Sequence, residues 1–297
     1  MLVNRTSLAA IFTGFKTIFQ DAFSAAESQF EKVAMVVPSS TSKETYAWLG
    51  QTTRFREWLG DRVIQNLGTH DFSLKNKSFE NTVGVNRDDI EDDTIGIYRP
   101  LVASLGQDAK THPDELLFAL MAASFSGLCY DGQPFIDSDH PVLDENGDPQ
   151  SVSNYQAGAT TPWFLLDTSK PIKPFIFQRR KDYTFVAMDQ PDNEAVFAQK
   201  LFRYGVDARV NAGYGLWQLA FGSKANLDET NYAAARAAMM SLKGDNGKPL
   251  NIRPSLLVVP PSLENAAKKL VVADVMANGA TNIYKQSADV LVCPWLV

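Results

Sequence analysis

From Ser7 to Val37, apolar residues recur at Ile11, Phe12, Phe15, Phe19, Phe23, Ala26, Phe30 and Val33. Spacings of three and four place all eight on one stripe of a helix spanning this stretch. A stripe carrying five phenylalanines cannot be left facing water, so it must be covered by the chain's own body or by another chain. No second amphipathic helix follows to make a hairpin with it. Pro38 and the polar run Ser39-Ser40-Thr41-Ser42-Lys43 end the helix.

The chain has 297 residues, 45% hydrophobic and 21% charged, a composition that excludes collagen-like and wholly disordered classes. At this length about three quarters of the unfolded surface can be buried, so no disulfide or metal staple is required. Net charge is 28 − 34 = −6, and the longest run of cations is Arg179-Arg180-Lys181. Affinity for phosphates rests on clustered cations, which argues against a dedicated nucleic-acid binder. The two cysteines, Cys129 and Cys293, are expected as buried thiols in a reducing compartment. The N-terminal apolar stretch is interrupted by Lys16, Gln20 and Asp21, so neither a secretion signal nor a membrane span is expected.

Between about Gly60 and Asp93 the pattern shortens to alternating runs. Phe72 and Leu74 precede a turn-like cluster, Lys75-Asn76-Lys77-Ser78, and Phe79, Asn81, Val83 and Val85 follow it. This predicts a long two-stranded hairpin with its turn at 75–78, too poor in apolar residues to stand alone. Next come five acids in the seven residues Arg87–Asp93, suited to a helix N-terminus and lacking the loop pattern of a calcium site. A helical stretch follows, with a turn expected at His112-Pro113. Residues 130–157 read as a long surface loop, 175–222 as strands, and the remainder as an α/β unit with Leu256–Val259 as a fully buried strand.

Chemical signatures are sparse. Asp131, Asp137, Asp139 and His140 bring carboxylates and a histidine within ten residues, which would suit a metal-dependent hydrolase if they converged. Turn chemistry accounts for the same residues, since Asx side chains favour such loops. There is no nucleophile elbow, dinucleotide loop or phosphate loop.

Several segments carry a resemblance: Phe72–Glu80 with Arg87–Asp93, Pro174–Arg180, Ala212–Gln218, and Asn251–Pro254 through Val258–Pro261. Their order and spacing resemble the major head proteins of tailed phages, and most closely the Mu-like major head subunit (gpT) family. The resemblance implies the α+β Hong Kong 97-like capsid fold. Its parts would be an N-terminal arm at 1–59, an extended E-loop hairpin at 60–90 and a spine-helix region at 91–129. A loop-rich connection at 130–174, peripheral strands at 175–222 and an axial domain at 223–297 would follow, in an order permuted relative to more familiar members. Pro100 implies a spine that begins near Arg99 or is kinked there.

The function implied is that of a self-assembling icosahedral shell around double-stranded DNA, without enzymatic activity, cofactor or metal. Expected partners are further copies in hexamers and pentamers, a scaffold protein, a portal and a decoration protein, with no membrane. Phe12, Phe15, Phe19 and Phe23 on the arm, and Phe72, Leu74, Phe79, Val83 and Val85 on the hairpin, are the expected assembly contacts. Two other readings stay open at this stage, an encapsulin-like compartment and the hydrolase built on Asp131, Asp137, Asp139 and His140.

Overall fold

The computed structural model describes residues 2–46, 49, 72–190, 193–244, 247–276 and 279–296. Helix α1 (Arg5–Ala25) starts at a capping box in which Asn4 and Ser7 satisfy each other's backbone N–H groups. The continuous helix expected to Val37 is not formed. The chain turns extended at Ala26, makes one short helix α2 (Phe30–Val33), and then enters strand β1 (Ala34–Pro38). Two local causes are visible. The buried carboxylate of Asp114 accepts from Ser28 Oγ at 2.8 Å, Gln29 N at 2.9 Å and Phe30 N at 2.7 Å, starting a new helix. The β-branched Val36 and Val37 then pair in parallel with strand β9 (Phe175–Met188).

The helix packs on its own body rather than away from it. Leu8, Ile11, Phe15 and Phe19 are buried against helix α4 (Arg99–Ala122) and the long strands, so the expectation that this stripe serves another chain is corrected for Phe15 and Phe19. Phe15 meets Tyr204 edge-on at 5.1 Å and Phe19 meets Phe185 at 5.2 Å. A Cβ added at Gly106 would lie 2.5 Å from the carbonyl oxygen of Phe19, so the backbones of α1 and α4 touch there.

Strands β2 (Lys43–Thr45) and β3 (Ser73–Lys75) pair with each other across the intervening segment, while β4 (Lys77–Asn86) pairs with β10 (Leu201–Tyr214). The hairpin expected between 72–74 and 79–85 is therefore absent, and its part at 60–71 lies outside the described residues. Asn76 explains why. It is buried rather than at a turn tip, donating to Ser39 Oγ at 2.8 Å and Thr41 O at 2.9 Å and accepting from Gln178 Nε2 at 2.9 Å. Glu44, drawn down to about 2 by the Thr41 N–H, the Ser39 hydroxyl and the Ser40 N–H, ties the neighbouring loop to the same network.

After α3 (Arg87–Glu91), the spine helix α4 (Arg99–Ala122) begins with Pro100 in its first turn, where proline costs nothing. It runs through Pro113 without stopping, so the expected His112-Pro113 turn is corrected. Burial of Val102, Leu105, Ala109, Leu117, Phe118 and Met121 along one side outweighs the missing hydrogen bond. The segment 130–174, expected as connection, contains β5 (His140–Leu143), β6 (Pro149–Val152), β7 (Tyr155–Gln156) and the fully buried β8 (Trp163–Leu166).

Strands β9 (Phe175–Met188) and β10 (Leu201–Tyr214), joined through α5 (Glu194–Gln199), form a four-stranded sheet in the order β1-β9-β10-β4. A second sheet, β13-β12-β8-β11-β7, is completed by β11 (Ala220–Ser223), β12 (Leu256–Val259) and β13 (Asp289–Val292), with helices α6 (Glu229–Met240) and α7 (Glu264–Val271). The long strands thus go with the spine and the C-terminal strands go elsewhere, except that Ala220–Ser223 joins the second sheet.

Because the Asp114 carboxylate holds three donors at a buried junction, Asp114→Ala should lower subunit stability by about 2–4 kcal/mol. Urea unfolding checks this, and an unchanged midpoint would contradict the capping role.

Candidate assembly surfaces and a buried polar cluster

Residues expected at copy-to-copy contacts divide by burial. Val85, like Phe15 and Phe19, is fully enclosed by its own chain and cannot be offered to a neighbour. Phe12, Phe23, Phe72, Leu74, Phe79 and Val83 are half-buried, each with one side against the core and the other open. Phe79 lies edge-on to His112 at 4.5 Å, and His112 Nδ1 lies 2.6 Å from the Tyr183 hydroxyl. Burial lowers the pKa of His112, against the pull of Glu115. Phe197, marked in the sequence only as a feature of the peripheral strands and not as a contact, is 90% exposed on α5 at the end of the β9–β10 pair.

The four residues of the hydrolase reading do not converge. Asp131 and His140 meet, with Nδ1 to carboxylate at 2.7 Å, because the bend at Gly132 (φ 85°) brings the loop back on itself. Asp139 is exposed, and the Asp137 carboxylate is taken by the Ser138 N–H at 2.6 Å. The third member is Cys129, whose thiol donates to Asp131 at 2.9 Å. His140 is fully buried and stacks on Trp217 at 3.9 Å with planes 6° apart.

Thiol, carboxylate and imidazole lie within 4.8 Å of one another, a donor set that elsewhere binds zinc. Here the thiol and the imidazole Nδ1 both bond to the Asp131 carboxylate, while the buried His140 Nε2 has no hydrogen-bond partner among the described residues. Burial and the neighbouring Asp131 push the Cys129 thiol well up, keeping it protonated. For Asp131, burial pulls the pKa upward, but donation from His140, Cys129 and the Gln133 N–H outweighs it and holds the carboxyl below its ordinary value. The cluster staples the 127–140 loop to the core beneath it. Cys129 and Cys293 are both buried thiols, as expected.

A carboxyl whose pKa is depressed on folding stabilises the protein above its unfolded value and ceases to do so as pH falls through the folded one. Asp131→Asn should therefore cost about 1–3 kcal/mol at pH 7 and lose part of that difference below about pH 4. Urea midpoints of both proteins across pH 3–7 check this, and a gap independent of pH would contradict it.

No helix among the described residues is long and apolar enough to cross a membrane. A family model described as the Mu-like prophage major head subunit gpT matches residues 8–296. The major capsid protein of Escherichia phage Mu is 41% identical over 289 residues, 95% of each chain. The Mu-like prophage FluMu major head subunit of Haemophilus influenzae is 44% identical over 275 residues, covering 90% of this chain and 89% of that one. Among solved structures, a subunit of the bacteriophage JBD30 procapsid matches 99% of this chain and 100% of its own, with TM-score 0.88 and 45% identity. A subunit of the JBD30 capsid matches 94% of each chain, with TM-score 0.79 and 35% identity. The two sheets, the spine helix and the arm packed on it are those of an α+β, Hong Kong 97-like capsid subunit, and the chain belongs to the Mu-like prophage major head subunit gpT family.

Proposed function

We propose that copies of this chain assemble, as hexamers and pentamers, into the icosahedral shell of a Mu-like tailed phage or prophage. The observation that carries this reading is the end-to-end match to a procapsid subunit. The chain acts as a structural protein rather than an enzyme: among the described residues, Cys129 and His140 both hydrogen-bond to Asp131 in the core and hold a loop in place. The half-buried Phe12, Phe23, Phe72, Leu74, Phe79 and Val83 are the contacts we assign to assembly.

Double-stranded DNA is the cargo, held without sequence recognition. With a net charge of −6 the wall grips phosphate weakly, which lets DNA move during filling and release. A scaffold protein and a portal are the partners that a closed shell with one entrance requires. A decoration protein fits as well, since the JBD30 capsid has been solved carrying minor capsid protein trimers.

Negative-stain microscopy of the expressed chain tests this reading, with closed shells or capsomers as the expected result and a stable monomer at every concentration as the overturning one. Phe79→Asp should leave a cooperatively melting subunit while cutting particle yield at least about tenfold. Normal yield from that variant would remove Phe79 from the contact.

A further inference from the structure

Between α4 and the strands β4 and β10 lies a groove of about 340 Å³. Its lining includes the rings of Phe79, Tyr183 and Trp295 and the acids Glu80, Asp108 and Glu115, with no lysine or arginine among the described residues. All three acids are exposed, and none forms an ion pair among the described residues. Aromatic faces beside unpaired carboxylates form a receptor for ammonium or guanidinium groups, through cation–π attraction and charge-assisted hydrogen bonds.

The same chain carries a matching cationic surface. Lys43 and Lys75 stand directly opposite each other in the β2–β3 register, and Lys77 follows one residue beyond buried Asn76. All three are exposed and none enters an ion pair among the described residues. Like charges directly opposite on paired strands are unfavourable. The hydrogen bonds of Asn76 to Ser39, Thr41 and Gln178 fix the backbone that bears them. Lys77 is two residues from Phe79 but does not line the groove, and no other lysine or arginine among the described residues does.

We infer that the Lys43–Lys75–Lys77 shoulder of one copy docks into the Glu80–Asp108–Glu115 groove of a second copy, with Phe79, Tyr183 and Trp295 packing against the lysine stems. Charge complementarity between two unpaired surfaces of one chain argues for a second copy as the occupant. The inference rests on the shell reading above and gives its copy-to-copy contact a location and a sign.

Charge exchange in the full-length chain tests it. The triple variants K43E/K75E/K77E and E80K/D108K/E115K should each melt within a few degrees of the parent and lose at least about tenfold in particle yield. The chain carrying all six substitutions should recover to within about threefold of the parent, because the attraction is restored with its poles reversed. Failure of the six-fold variant to exceed either triple would overturn the inference, as would parental yield from the neutral E80Q/D108N/E115Q. A lysine variant that forms normal shells but retains less DNA would also overturn it, assigning these lysines to phosphate. A parent chain that never assembles would instead overturn the shell reading itself, and the inference with it.

Discussion

The packing of α4 along β10 is the interaction on which the rest of the molecule depends, because both elements, with β9 beside them, run through both large hydrophobic cores. Val102, Leu105 and Ala109 of α4 meet Phe202, Tyr204 and Val206 of β10 in one core. Leu117, Phe118 and Met121 share the other with Ala208, Val210, Ala212 and Tyr214. From Val102 to Met121 the helix spans about 29 Å at 1.5 Å per residue. That is most of the length of the strand beneath it, so the two cores are joined along a continuous bar rather than at a hinge. Alternation along β10 does the sorting: even-numbered side chains are buried toward the helix, while Arg203, Asp207, Arg209 and Asn211 on the other face are only half-buried.

Patterns with a strong local period were legible in the sequence. The stripe from Ile11 to Phe19 correctly gave a helix with an apolar face, Pro100 correctly marked the start of the spine, and Leu256–Val259 is the buried strand its composition suggested. Where local chemistry and long-range pairing disagreed, pairing won. Lys75-Asn76-Lys77-Ser78 has the composition of a turn, yet Ser39 and Gln178, 37 and 102 residues away, bury Asn76 between two strands of different sheets. The arm's destination was equally hidden. Whether a phenylalanine stripe meets its own body or another chain depends on Gly106 and Tyr204, which no periodicity in residues 7–37 can reveal.

The polar cluster was half legible for the same reason. Asp131 and His140 are close in sequence and a glycine-containing bend brings them together, so proximity alone suggested the pair. The third member, Cys129, read as one more buried thiol. Trp217, which stacks on the imidazole and fixes its plane, arrives from the opposite side of the core and leaves no mark near residue 140. Asp137 and Asp139 point to a different lesson: carboxylates crowded in sequence are often a loop hydrogen-bonding to itself.

The contact at Gly106 has a mechanical consequence. Where helices meet through interleaved side chains, rotamer changes can absorb a displacement. At Gly106 the main chain of the spine rests against the Phe19 carbonyl with no side chain between them. A pull on the arm therefore reaches the spine with little slack, and through it the strand that crosses both cores. In a wall built of such subunits, tension at one edge would be shared across the body of each rather than taken up where it was applied.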